Sequence, residues 1–169
     1  RDALLSYQQE FFQSAAQQAR AERAKGYILS ESQDRSRLES LLQLLNQHQI
    51  AVYPLTTDWQ YEQRTFRAGQ SYYVPLQQTQ YRLLKAAFST DKNFNDNTFY
   101  DVSAWTLPYA FNIDFTEVNR EPARSAAEQP WQPQPRVRSQ NLQAGGYAYV
   151  INWQDQLAPV MLQAMLAEG

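Results

Sequence analysis

The chain contains no cysteine and a single histidine, His48, among its 169 residues. Without thiols there is no disulfide, no thiolate metal site and no cysteine nucleophile. Glycine is scarce, with five residues, and no serine sits in a Gly-x-Ser-x-Gly frame. The strained strand-to-helix elbow that arms a nucleophilic serine is therefore missing. Neither charge sign dominates, with 15 Lys+Arg against 17 Asp+Glu and a net charge of -2. A nucleic-acid partner would normally demand a basic stripe, so the charge balance argues against that class. No apolar run approaches the ~20 residues needed to cross a bilayer, so no membrane span is expected.

What is present suits one folded domain, on a prior of roughly 100–200 residues per domain. Hydrophobic residues make up 43% and aromatics 14%, enough for a real core. Glutamine pairs (Gln8-Gln9, Gln17-Gln18, Gln77-Gln78) are broken up by apolar residues and read as uncharged polar surface.

The apolar spacing predicts a long helix over 2–24, with Leu4, Tyr7, Phe11, Ala15 and Ala19 on one stripe and Gly26 ending it. Tyr27-Ile28-Leu29 reads as a buried strand. Ser30, Ser32 and Asp34 are candidate caps for a second helix that turns Leu38, Leu41, Leu42 and Leu45 inward. Ile50 to Tyr53 reads as a second strand, stopped by Pro54. Strand, helix, strand predicts a parallel pair with a right-handed crossover. The segment 61–66, a turn at 67–70 and a strand at 71–74 predict an added antiparallel hairpin. Helix is expected over 79–88, a short strand over 113–118 and a proline-rich loop over 120–138. Gly146 to Val150 reads as a strand and 155–167 as a helix, a pseudo-repeat of the first strand–helix unit. Aligning the glycines places Ala158, Met161, Leu162 and Met165 on the four inward leucines. The first unit runs on into a strand, whereas the second stops at Gly169. That difference, and an opening at Arg1 rather than Met, predict a chain that continues beyond both ends.

One run stands out: Tyr100-Asp101-Val102-Ser103-Ala104-Trp105-Thr106-Leu107-Pro108-Tyr109-Ala110-Phe111. Trp105 brings a large apolar surface and an N–H that needs a partner when buried. Asp101 and Ser103 are cap-type side chains, and Pro108 suits a first helical turn. With Gly69 to Gln78 and Tyr81 to Phe88, this run resembles a segment of large bacterial zinc carboxypeptidases of the carboxypeptidase A-like family. The segment follows their peptidase domain and is similar to class I glutamine amidotransferases.

The resemblance implies an α/β fold of three layers. Its mostly parallel sheet would be flavodoxin-like or amidotransferase-like, with the antiparallel hairpin added and a C-terminal strand missing. It covers 26–169, leaving 1–25 as a linking helix back to the peptidase domain of the same polypeptide. It implies a non-catalytic accessory role in a periplasmic or secreted metallopeptidase. The zinc would lie in the parent peptidase domain: such enzymes need a His-x-x-Glu pair and a distant His around an open position, and His48 alone cannot supply them. Ser103 lacks flanking glycines and an evident histidine base, so capping accounts for it better than nucleophilic catalysis. The alternative is a ligand-binding module for peptide, peptidoglycan or sugar. Its rim would lie at the strand-end crevice, on Ser30, Glu31, Asp34, Asn152, Trp153 and Asp155, although helix capping explains most of these residues too. A homo-oligomer stays open.

Overall fold

The computed structural model describes residues 2–90, 106–123, 128–134, 147, 148 and 150–168. The elements run α1 (Asp2–Ala21), β1 (Gly26–Ser30), α2 (Arg35–Gln47), β2 (Tyr53–Pro54), β3 (Trp59–Tyr61), β4 (Arg64–Phe66), β5 (Ser71–Pro75), α3 (Tyr81–Ala87), α4 (Leu107–Ala110), β6 (Asp114–Val118) and α5 (Ala158–Glu168).

The main sheet has four strands in the order β2-β5-β1-β6, and every neighbouring pair is antiparallel. This overturns the mostly parallel, flavodoxin-like or amidotransferase-like sheet. The reason is an insertion. β1 and β2 do run the same way, since both are antiparallel to β5, but β5 lies between them. Tyr72, Tyr73 and Val74 are all buried, so β5 takes the position where both its faces are covered. An edge would leave one flank of its backbone unpaired. The expected hairpin between 61–66 and 71–74 does not form either. Residues 59–66 fold back on themselves as β3 and β4, and β5 goes to the main sheet.

Alternation along the strands divides the core in two. Tyr27, Leu29, Tyr72 and Val74 face the helices, packing with Leu38, Leu41, Leu42 and Leu45 of α2, Ala15 and Ala19 of α1, and Leu84 of α3. Ile28, Tyr73 and Val118 face the other way, onto Tyr61 and Phe66 of the small hairpin. Three layers result, but the third is a β-hairpin where helices were expected. Each fully buried large apolar side chain contributes about 1.5–3 kcal/mol, so β1 and β5 are the centre of stability.

Gly26 does not end α1, which stops at Ala21. It opens β1, paired with Pro75 on one side and Val118 on the other. A Cβ there would collide with the Tyr73 ring and come 2.5 Å from the Val74 carbonyl oxygen. Of the strand expected over Gly146 to Val150, Gly146 and Tyr149 lie outside the described residues. Tyr147, Ala148 and Val150 form no strand, and Tyr147 and Val150 are fully exposed. On α5, Ala158 is buried whereas Met161, Leu162 and Met165 are exposed. The pseudo-repeat therefore does not extend to burial. Trp131, in the proline-rich stretch, packs against the main core and donates its backbone N–H to the Val52 carbonyl at 2.7 Å.

Candidate functional site

At the carboxyl end of β1 the sheet meets the start of α2; Ser30, Glu31 and Asp34 lie on this junction, and of the later rim residues Asn152 and Asp155 are hydrogen-bonded to it. The Ser30 and Ser71 hydroxyls meet at 3.2 Å. Glu31 Oε1 accepts from the N–H groups of Gln33 (2.6 Å) and Asp34 (3.0 Å), closing the loop into α2. Asp34 is buried and caps α2, its Oδ1 accepting from Arg37 N–H at 2.9 Å. Its Oδ2 accepts no hydrogen bond and has Arg37 Nε 3.0 Å away as an ion-pair partner.

The second half of the rim arrives from far along the chain. Asn152 Nδ2 donates to the Gln33 carbonyl at 3.0 Å. Asp155 Oδ2 accepts from the Ser36 hydroxyl at 3.0 Å and from its N–H at 3.4 Å. Gln156 Nε2 donates to the Ser40 hydroxyl at 3.1 Å. An open cleft of about 400 Å³ results, with Ser36, Ile151, Asn152, Asp155, Ala158 and Met161 among its walls. Trp153 stays exposed and is not part of that wall. Sequence reasoning missed Ser36 and Ser40, because nothing local to α2 announces a partner more than a hundred residues away.

The electrostatics around this rim favour fixed structure over chemistry. Asp34, Glu31, Asn152 and Asp155 each accept or donate within the protein, largely to backbone groups that a helix start leaves open. Burial raises the Tyr72 phenol above its ordinary value, Arg35 opposing this and Glu39 adding to it, so that hydroxyl stays protonated at neutral pH. Among the described residues no three His, Cys, Asp or Glu gather to hold a metal. His48 is the exposed C-terminal cap residue of α2.

Of the aromatic run, Asp101, Ser103 and Trp105 lie outside the described residues. Pro108 is buried in the first turn of α4, whose cap residue is Thr106. The Thr106 hydroxyl donates to the Ser89 carbonyl. Tyr109 is exposed and lies edge-on to Phe115 at 5.1 Å.

The larger unexplained features are apolar. α1 is anchored at its C-terminal half by Ala15 and Ala19, and its residues 2–13 are all exposed. At 1.5 Å per residue these span about 18 Å; Phe11 lies under Arg82 and Phe12 beside Gln77, Gln78 and Thr79, so the first turns are the part that projects from the body. They carry Leu4 (72% exposed), Leu5, Tyr7, Phe11 and Phe12. Leu4 and Phe11 continue the same face as Ala15 and Ala19, so one stripe runs from core to solvent. α3 braces the junction. The Arg82 guanidinium lies 4.3 Å over the Phe11 ring and donates to the Ser14 hydroxyl at 3.0 Å. The Tyr81 hydroxyl donates to Glu22 at 2.8 Å, and Lys85 Nζ is 3.2 Å from the same oxygen. These two donors hold the Glu22 carboxyl below its ordinary value, the Tyr81 hydrogen bond first, while burial followed by Glu22 raises the Tyr81 phenol. α5 is the second exposed helix: Val160, Met161, Leu162, Met165 and Leu166 all face solvent. No described helix is long and apolar enough to cross a membrane.

Compared with known proteins, the chain matches no family model, no curated protein and no solved structure.

Proposed function

We propose that this chain is a non-catalytic accessory domain that works by packing its α1 stripe against the peptidase domain of a bacterial zinc metallocarboxypeptidase. The parent enzyme, its zinc and a periplasmic or secreted setting come from the sequence resemblance. The observation that carries the docking role is the exposure of Leu4, Leu5, Tyr7, Phe11 and Phe12 on a helix whose other half is already anchored. Exposed apolar surface of this extent is costly in water and marks a contact face. A wide stripe also needs more cover than a single helix seam provides. The ligand-binding reading has a cleft in its favour, yet its polar walls Asn152 and Asp155 are engaged in bridging to Gln33 and Ser36, and Glu31 and Asp34 lie outside its lining, engaged in the loop and cap of α2. A ligand would have to displace those bonds at their full cost.

Two assays test the proposal. The isolated chain, supplied with zinc and peptides bearing free C-termini, turns over nothing. In the natural full-length protein, Leu4→Glu with Phe11→Glu opens the junction between domains to proteolysis while this domain stays folded. Carboxypeptidase turnover by the isolated chain, or an unchanged cleavage pattern in the double variant, overturns it.

A further inference from the structure

The segment 150–168 touches the rest of the protein with little apolar contact for a segment that is largely helical. Ala158 is its one buried hydrophobic residue among those described. Its attachment is otherwise a polar clip: Asn152 to the Gln33 carbonyl, Asp155 to the Ser36 hydroxyl and N–H, and Gln156 to the Ser40 hydroxyl. Ser36 and Ser40 lie four residues apart on one face of α2, and Gln33 precedes its cap residue Asp34, so the whole clip grips the N-terminal half of a single element. Asp155 supplies the charged contact, placed where the N–H groups of a helix start favour an anion.

Val160, Met161, Leu162, Met165 and Leu166 of α5 all face solvent, so apolar packing holds the described part of this helix at Ala158 alone. Its order therefore depends on the clip and on Ala158. The sheet beneath depends on neither, because β1 and β5 are buried by α1, α2, α3 and the β3–β4 hairpin. Two cooperative units of different stability follow.

We propose that residues 150–168 form a strap that undocks from α2 as a unit while the sheet stays folded, with the Asp155–Ser36 contact as its catch. Opening removes one wall of the 400 Å³ cleft and frees the first turn of α2. The device stands independently of the α1 docking role and involves different residues.

Hydrogen exchange of the chain, read by mass spectrometry, tests it. In the unaltered protein the amides of residues 161–168 exchange faster than those of β1 and β5 but slower than in an unstructured peptide. Asp155→Asn removes the charge and keeps the shape; it accelerates exchange over 161–168 by about tenfold or more and leaves β1 and β5 unchanged. The pair Ser40→Cys and Gln156→Cys, in a chain with no other thiol, locks the strap when bridged by a short, cleavable bifunctional thiol reagent and returns to fast exchange when the bridge is cleaved. Three results overturn the proposal: protection over 161–168 equal to that of β1, no protection there at all, or exchange indifferent to both Asp155→Asn and the cross-link.

Discussion

Gly26 shows how one residue is held by geometry that its neighbours in sequence do not announce. Its constraint comes from the Tyr73 ring and the Val74 carbonyl across the sheet, whereas the local pattern suggested only a helix stop. Gly26→Ala forces that contact apart and should cost about 1–3 kcal/mol as overpacking, measured by urea unfolding. Asp34, by contrast, was legible, since capping chemistry acts within three residues. Asp34→Ala should cost about 1–2 kcal/mol on the same assay. Asp34→Asn keeps an Oδ1 acceptor for Arg37 N–H, so it should cost clearly less. Glu62 sits in the tight turn between β3 and β4 with φ +52°, a region that strains side chains bearing a Cβ. Glu62→Gly should therefore raise stability by about 1 kcal/mol, and a loss would show that the glutamate has a contact role there.

At the scale of elements, the residue that follows α1, Glu22, joins it to α3 through a charged latch with a defined pH signature. Glu22 is held below its ordinary carboxylate value by Tyr81 and Lys85. A depressed carboxyl contributes stability above its unfolded value of about 4.5 and loses it as pH falls through the lower folded value. α1 should thus loosen from α3 in acid, below about pH 4.5. Tyr81→Phe removes the first of the two donors, so the Glu22 titration followed by NMR should move up toward the ordinary carboxylate value. An unmoved titration would assign the depression to Lys85 alone. The helices were legible in sequence because Leu38, Leu41, Leu42 and Leu45 repeat with the helical period. Strand partners were not. Alternation along β5 says which side chains are buried, but no local feature says that β5 enters between β1 and β2. The parallel crossover was the simplest reading of adjacent elements, and a non-local pairing overrode it.

For the molecule as a whole, the antiparallel sheet and its two cores are the centre of stability among the described residues, and the exposed N-terminal half of α1 is left over. The sequence revealed the stripe of Leu4, Phe11, Ala15 and Ala19, because helical spacing is local. Which part of that stripe this domain itself covers depended on where α3 and α2 stop, and only the fold decides that. Similarly, both halves of the strand-end rim were named from cap-type residues, while the bonds that occupy them join segments far apart. The account turns on whether the overhanging stripe is a contact face. Hydrogen exchange over residues 4–12, compared between the isolated chain and the natural full-length protein under the same conditions, decides it most directly. The account predicts rapid exchange in the isolated chain and strong protection in the full-length protein. Equally rapid exchange in both would contradict it.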